Sequence, residues 1–199
     1  HQQYISKYAQ CWIPDNSNRQ FSLAGRLSLT DPTLNKYKYL GILSRFTSPT
    51  TSIRSEYKYL AIISGPEPQR SIFENKTISY FKSLNTKCAI IGGTPLKTKQ
   101  KEIEMIDYFP HLPTHLFLDL VNLSEKIICR PGYSSVMDLS ILQKPVFFVP
   151  TNGQTEQEYL ARYYYKKYHI GYCSQEELKD QIQDSKFNLL PYQVDNDLK

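Results

Sequence analysis

From Tyr59 onward, short apolar runs alternate with longer segments of helical period, and Gly, Pro or Asn marks each changeover. This alternation restricts the fold more than any other feature. Strands that are apolar throughout must be covered on both faces, and the segments between them are long enough to cross over. YLAIISG (59–65), KCAIIGG (87–93), THLFL (114–118), KIIC (126–129), VFFVP (146–150) and HIGYC (169–173) read as strands. Helices are expected over 69–84, 119–125, 134–142, 155–168 and 174–184. The fold class this predicts is α/β, a Rossmann-like parallel sheet with helices on both faces, whose ligands bind outside the carboxyl ends of the strands. The loops to weigh are therefore SGPEPQ, GGTP, FLD, RPGYSS and TNGQTEQ.

Residues 1–58 look different, being rich in Tyr, Ser, Thr and Pro, with two strand-like pieces, CWIP (11–14) and KYLGIL (38–43), and a polar stretch at 44–57. They carry eight Lys/Arg against three Asp/Glu, whereas residues 59–199 carry sixteen of each, so the net charge of +5 lies in the first segment. The body is near neutral apart from LKTKQK (96–101), a solvated loop, which argues against a nucleic-acid partner. The segment reads as a linker delivering the chain to the domain, and an opening at HQQYISKY without Met reads as the interior of a longer polypeptide. No apolar run approaches the ~20 residues of a membrane span, and no charged-then-apolar leader opens the sequence.

Cys11, Cys88, Cys129 and Cys173 show no CxxC or zinc spacing, and the last three fall in apolar runs, which suits a reducing cytoplasm. Pro113 separates His111 from His115, and Asp195-Asn196-Asp197 spells DxD in a polar tail, so no metal or other cofactor is expected. The YYYKKY run (163–168) is either the exposed and half-buried side of one helix or a set of rings and lysines meeting a membrane or a partner domain.

The stretch IICRPGYSSVMDLSILQKPVFFVP (127–150) carries the most chemistry. A strand ends at Cys129, Gly132 permits a tight turn, and Ser134 and Ser135 offer N-cap hydroxyls to a helix with Asp138 one turn inside. A helix start at the mouth of a parallel sheet presents unpaired N–H groups to an anion such as a diphosphate, and Asp138 is placed to accept ribose hydroxyls. An ordinary capped helix is the other reading. The next loop holds Thr151, Asn152, Gln154, Gln157 and Glu158, a dense set of groups suited to sugar hydroxyls, although Thr155 through Glu158 also fits a capping box. SGPEPQR (64–70) lacks GxGxxG, so a phosphate contact there rests on Gly65 or Arg70.

Taken together, Arg130, Gly132, Ser135, Val136 and Asp138, then Lys144 to Pro150, then Gln157-Glu158-Tyr159 resemble the donor-binding domain of family 28 glycosyltransferases, in an (R)-x-G-x-x-(S/T)-V-x-(E/D) turn and helix, a K-P-V-F-F-V-P strand and a Q-(Q/E)-Y loop. The resemblance covers about residues 37–173. It implies the C-terminal half of a GT-B fold, binding a UDP-linked N-acetylhexosamine without a metal. Carried over, it puts Asp138 at the ribose carboxylate. Gly132, Tyr133, Ser134 and Ser135 fall at the diphosphate-binding helix start, and Gln157 and Glu158 on the donor-sugar pair. Phe117, Leu118 and Asp119 fall where backbone groups read uracil. YLGILSR (39–45) matches the first strand of the domain, with Arg45 at a nucleotide-contacting arginine. The resemblance divides the chain into a linker and remnant of an acceptor domain (1–36), a donor domain (37–185) and a tail (186–199). The acceptor and the catalytic base would belong to a missing N-terminal domain or a separate partner chain, with peripheral contact to the inner face of the membrane. A UDP-sugar epimerase or hydrolase of the same fold, and a non-catalytic nucleotide-sugar-binding module, are the alternatives.

Overall fold

In this computed structural model, which describes residues 4, 7–30, 36–49, 54–96, 101–182 and 184–192, the central apolar runs form strands buried on both faces. Eight strands are β1 (Cys11–Ile13), β2 (Tyr37–Tyr39), β3 (Tyr57–Ile62), β4 (Cys88–Ile91), β5 (Lys101–Ile103), β6 (Ile106–Phe109), β7 (Ser124–Cys129) and β8 (Val146–Phe148). The helices are α1 (Gln69–Lys82), α2 (Thr114–Asn122), α3 (Tyr133–Leu142), α4 (Thr155–Tyr168) and the four-residue α5 (Leu178–Gln181). Six strands make the main sheet in the order β5-β6-β4-β3-β7-β8, parallel except for the β5–β6 pair.

Side-chain alternation along the strands divides the core in two. Leu60, Ile91, Ile127, Cys129 and Phe148 face a layer that includes Phe117, Val121, Val136, Leu160 and Tyr164 from α2, α3 and α4. Ala61, Ile90, Ile128 and Phe147 face the opposite layer, with Phe73 and Phe81 of α1 and Leu178 of α5. Helices therefore cover both faces, as the alternating pattern requires.

Five expectations change. Residues 114–122 form one helix instead of a strand and a short helix, because Phe117, Leu120 and Val121 bury one helical face behind Pro113. The polar stretch after residue 93 contains a β5–β6 hairpin that makes the sheet mixed, its pattern carried by Ile106 and Tyr108 inward against the half-buried Asp107 and Phe109. HIGYC adds only a bridge between Phe148 and Tyr172, since Gly171 N–H turns to the carbonyl of Lys186, and the helix expected over 174–184 shortens to α5 and a 3-10 turn at Asp184–Lys186. YLGILSR does not supply the first strand of the sheet. Tyr37–Tyr39 pairs with β1 in a separate two-stranded sheet, and β3 opens the main one.

The segment expected as a linker is folded onto the domain from Cys11. Asp15 is fully buried and its carboxylate accepts from the backbone of Asn16 (2.8 Å), Leu23 (2.8 Å) and Ala24 (3.3 Å) and from the hydroxyl of Ser22 (2.6 Å). The loop so closed lies on α4, where the hydroxyls of Tyr163 and Tyr164 donate to the carbonyls of Ser22 and Leu23, and Leu23 enters the core. Tyr133 of α3 donates to the carbonyl of Pro14.

Asp15→Ala leaves four buried donors without their acceptor, so residues 15–28 are expected to open locally at a cost of about 3 kcal/mol, read as faster amide exchange at Leu23 and Ala24 with the sheet still protected. A second expectation concerns alkali. Burial pushes the thiols of Cys88, Cys129 and Cys173 up to about 12, and raises the phenols of Tyr57, Tyr59, Tyr133 and Tyr164 above their usual value. Each of these acids has a folded pKa above its unfolded one. Their contribution is whole below about pH 9 and is lost as the pH climbs toward 12. Urea midpoints measured across that range should fall steadily.

Candidate functional site

The chain leaves β3 toward β4 on one side and leaves β7 toward β8 on the other, so the crevice of the sheet opens between the carboxyl ends of β3 and β7. Arg130, the residue after β7, fills its floor and is 1% exposed. Its Nε donates to the carbonyl of Ser64 (2.9 Å), and its Nη2 to the carbonyl of Gln69 (2.8 Å) and the side-chain oxygen of Gln175 (2.6 Å), with a longer reach from Nη1 to Val149 (3.5 Å). The guanidinium lies over the ring of Phe73, 4.8 Å from its centre. Gly65, at φ +107°, keeps the loop close enough that an added Cβ would stand 3.5 Å from Nε. Burial lowers the pKa of Arg130 to about 10, which leaves it charged at neutral pH. No carboxylate pairs with it among the described residues. Positive potential is therefore fixed beneath the crevice by neutral acceptors. Arg130 belongs to the motif, and its sequence signal as a site residue is slight: a charge ending an otherwise apolar strand.

Helix α3 starts beside it. Gly132 is the N-cap, in extended conformation and with no side-chain cap, so neither Ser134 nor Ser135 plays the capping role expected of it. The first intrahelical bond is from Val136 N–H to Gly132. The amides of the first turn thus lack side-chain acceptors at the helix's positive end. One turn on, Asp138 takes the Ser44 hydroxyl (2.7 Å) and the backbone N–H (3.4 Å) of Arg45 on one oxygen, and Arg45 Nε (3.0 Å) on the other. The Arg45 guanidinium lies 4.5 Å from the centre of the Phe117 ring, and Phe117 stacks on Phe46 at 5.9 Å. Three residues named from the sequence, Arg45, Phe117 and Asp138, therefore meet. Asp138 is mostly enclosed (17% exposed) while the Arg45 side chain is 44% exposed. Phe117 and Leu118 sit inside α2, where Phe117 N–H is bonded to Pro113, so it is the Phe117 ring that reaches this group.

The β8–α4 loop forms the other wall. Gln157 accepts from Thr151 N–H (2.8 Å) and its amide donates to Gln154, while Glu158 accepts from Gly153 N–H (3.0 Å). Glu158 reaches back to Gly153 instead of closing a capping box with Thr155. A cleft of about 380 Å3 opens here, lined by Thr151, Asn152, Glu158, Tyr172, Ser174 and Glu177 among others. Thr151 is 2% exposed and its hydroxyl has no partner among the described residues.

Arg70 is placed otherwise. Its guanidinium is engaged by Glu67, Glu74 and the Gly92 carbonyl, which spends its charge on the β3–α1 loop. His111 and His115 are exposed on either side of Pro113, and no three His, Cys, Asp or Glu side chains converge as metal ligands among the described residues. The DxD at 195–197 lies outside the described residues.

Arg130→Lys keeps the charge but cannot span acceptors in four segments. It should lower unfolding free energy by about 2–4 kcal/mol in urea titrations. The sequence matches no family model and no curated protein. Among solved structures, the glycotransferase of kitacinnamycin superposes with a TM-score of 0.57 at 10% identity, over 89% of this chain and 48% of that one. The glycosyltransferase SnogD from Streptomyces nogalater (TM-score 0.46, 13% identity, 73% of this chain and 38% of that one) and MurG from Acinetobacter baumannii (TM-score 0.46, 14% identity, 72% of this chain and 44% of that one) are also similar. The chain spans less than half the length of each of these proteins. It has the α/β fold of part of a glycosyltransferase.

Proposed function

We propose that the chain is the donor-binding half of a GT-B glycosyltransferase of family 28 type, taking a UDP-linked N-acetylhexosamine. The observation that carries this reading is the meeting of Asp138, Arg45 and Phe117 at the carboxyl edge of the sheet. Asp138 now holds donors from Ser44 and Arg45 on both oxygens, and a ribose diol offers the same two donors. Arg45 covers the face of Phe117, the flat surface on which a base stacks, and its guanidinium, partly open to solvent, can turn to a diphosphate once ribose hydroxyls replace it on Asp138. The uncapped first turn of α3 and the charge of Arg130 favour that diphosphate. The neutral and acidic groups of the β8–α4 cleft, Thr151, Asn152 and Glu158, suit the hydroxyls and acetamido group of the sugar.

In the reaction an acceptor oxygen attacks the anomeric carbon in line, the bond from that carbon to the diphosphate oxygen breaks, and the electron pair leaves with UDP. Arg45 and the α3 amides offset the charge gathering there. The proton of the acceptor goes to a base on the acceptor-binding half. No metal enters this scheme. The four free cysteines suit a reducing cytoplasm, where UDP-sugars are made available.

Calorimetric titration of the full-length protein with UDP and UDP-N-acetylglucosamine tests the proposal. Both should bind, and Asp138→Ala should weaken UDP about 100-fold, the loss of two hydrogen bonds to a charged group. Binding unchanged by Asp138→Ala, or no binding at all, overturns it.

A further inference from the structure

Where the N-terminal loop meets α4, Arg26, Arg162, Lys166 and Lys167 surround a groove of about 520 Å3 whose remaining lining is Tyr159 and Tyr163. Two of these cations are built into the walls. Gly25, at φ +55°, brings the loop so near α4 that an added Cβ would stand 2.5 Å from the Tyr159 hydroxyl and 3.0 Å from the Tyr163 ring. That approach seats the next residue: the Arg26 backbone N–H donates to the Tyr159 hydroxyl (2.8 Å), and its guanidinium lies 4.6 Å from the centre of the Tyr159 ring. Lys167 donates to the Gln20 carbonyl (2.9 Å) and to the Tyr163 hydroxyl (3.1 Å). Tyr159 and Tyr163 stack at 6.0 Å, one helical turn apart. The other two cations are unengaged. Arg162 and Lys166 are exposed, four residues apart on one face of α4, and neither makes a hydrogen bond or an ion pair among the described residues. The acids of the first turn of α4 are placed elsewhere: Glu158 accepts from Gly153 N–H in the β8–α4 cleft, and Glu156 lines a separate hollow beside Trp12.

Four positive charges sharing one groove repel one another, and neither arginine nor lysine sheds its proton at neutral pH. The groove is at its most stable with an anion inside. A lone phosphate, carrying about −2, offsets half of the charge and reaches only part of the lining. A chain of two or three phosphates has the charge and the length to engage all four cations, and an arginine meets a phosphate with two parallel N–H bonds. The concave shape, walled by two rings, fits a narrow anion and not a flat surface. We propose that the groove between the N-terminal loop and α4 binds a soluble linear oligophosphate. Bound there, it ties Arg26 of the loop to Arg162 and Lys166 of the helix, so the loop closed around Asp15 gains a second hold on α4, the helix whose first turn carries Gln157 and Glu158. The groove shares no residue with the crevice at the carboxyl edge of the sheet, and its ligand is separate from the nucleotide sugar proposed above.

Calorimetric titration of the full chain at low salt with sodium tripolyphosphate, and separately with orthophosphate, tests this. Tripolyphosphate should bind the more tightly and be released as salt rises. Arg162→Gln with Lys166→Gln should weaken it about 25-fold, roughly fivefold for each exposed pair lost. Arg45→Gln, in the crevice, should leave it unchanged. Thermal melts separate a binding role from a structural one. Without ligand the double variant should melt no lower than the parent chain, because repulsion is relieved, whereas tripolyphosphate should raise the midpoint of the parent and not of the variant. Vesicles containing phosphatidylglycerol, titrated in parallel, distinguish a lipid phosphate from a free one. UDP enters none of these measurements, so the donor reading and this one fail separately. No binding of free tripolyphosphate, with or without capture by the vesicles, equal affinity for orthophosphate, binding indifferent to the double substitution, or binding lost in Arg45→Gln overturns the proposal.

Discussion

A buried arginine that no carboxylate pairs among the described residues organises the carboxyl edge of this sheet. Taking a guanidinium out of water costs several kcal/mol, and Arg130 is compensated by oxygen acceptors from the turn after β3, the start of α1, the end of β8 and the turn before α5. Ser64 and Gln69 bracket one loop, while Val149 and Gln175 come from much later in the chain, and apolar contact alone could not align them, since each presents a backbone carbonyl or a side-chain amide at the point of contact. A hydrocarbon side chain of similar volume would spare the desolvation but strand every one of those acceptors. Arg130 thus holds together the loops that border the crevice, and it leaves a positive charge under the place where the α3 amides also point.

The interior of the fold was readable because it obeys a single period. TEQEYLARYYYKKY marks a helix from end to end, and α4 occupies those residues, 155–168. CAII (88–91) and IIC (127–129) are apolar at every position, and only a central strand of a covered sheet has use for that. The margins were less readable. THLFL satisfies both a buried strand and the first turns of a helix, and the arbiter was Pro113, which fixes the chain at the helix entrance and cannot donate to a ladder. At β5–β6 the alternation is diluted by Lys, Glu and Asp, because an edge hairpin needs only Ile106 and Tyr108 inside.

The site divides in the same way. Asp138 and the start of α3 follow from local chemistry: a glycine turn after a strand and a carboxylate one turn into a helix. That Asp138 lies against Arg45 and Phe117 could come only from the resemblance, since Ser44 and Arg45 sit more than ninety residues away from it in the chain and reach it through tertiary packing. The hydroxyls of Ser134 and Ser135 looked like caps because the residue types are right, but Gly132 takes the cap position and leaves the amides open. Arg70 looked available because it follows a strand, and the two glutamates that neutralise it, Glu67 and Glu74, lie three and four residues away, where helical spacing could have warned of it.

Tyr133 belongs to two structures at once. Its backbone forms the first turn of α3, and its hydroxyl pins Pro14, just past β1. With Tyr163 and Tyr164 holding Ser22 and Leu23 to α4, and Phe46 stacked on Phe117, the described stretches 11–30 and 36–46 move with the helices they cover. A hinge to any preceding domain must therefore lie ahead of Cys11. Motion arriving there would be delivered, through one phenol, to the turn of helix that faces the crevice.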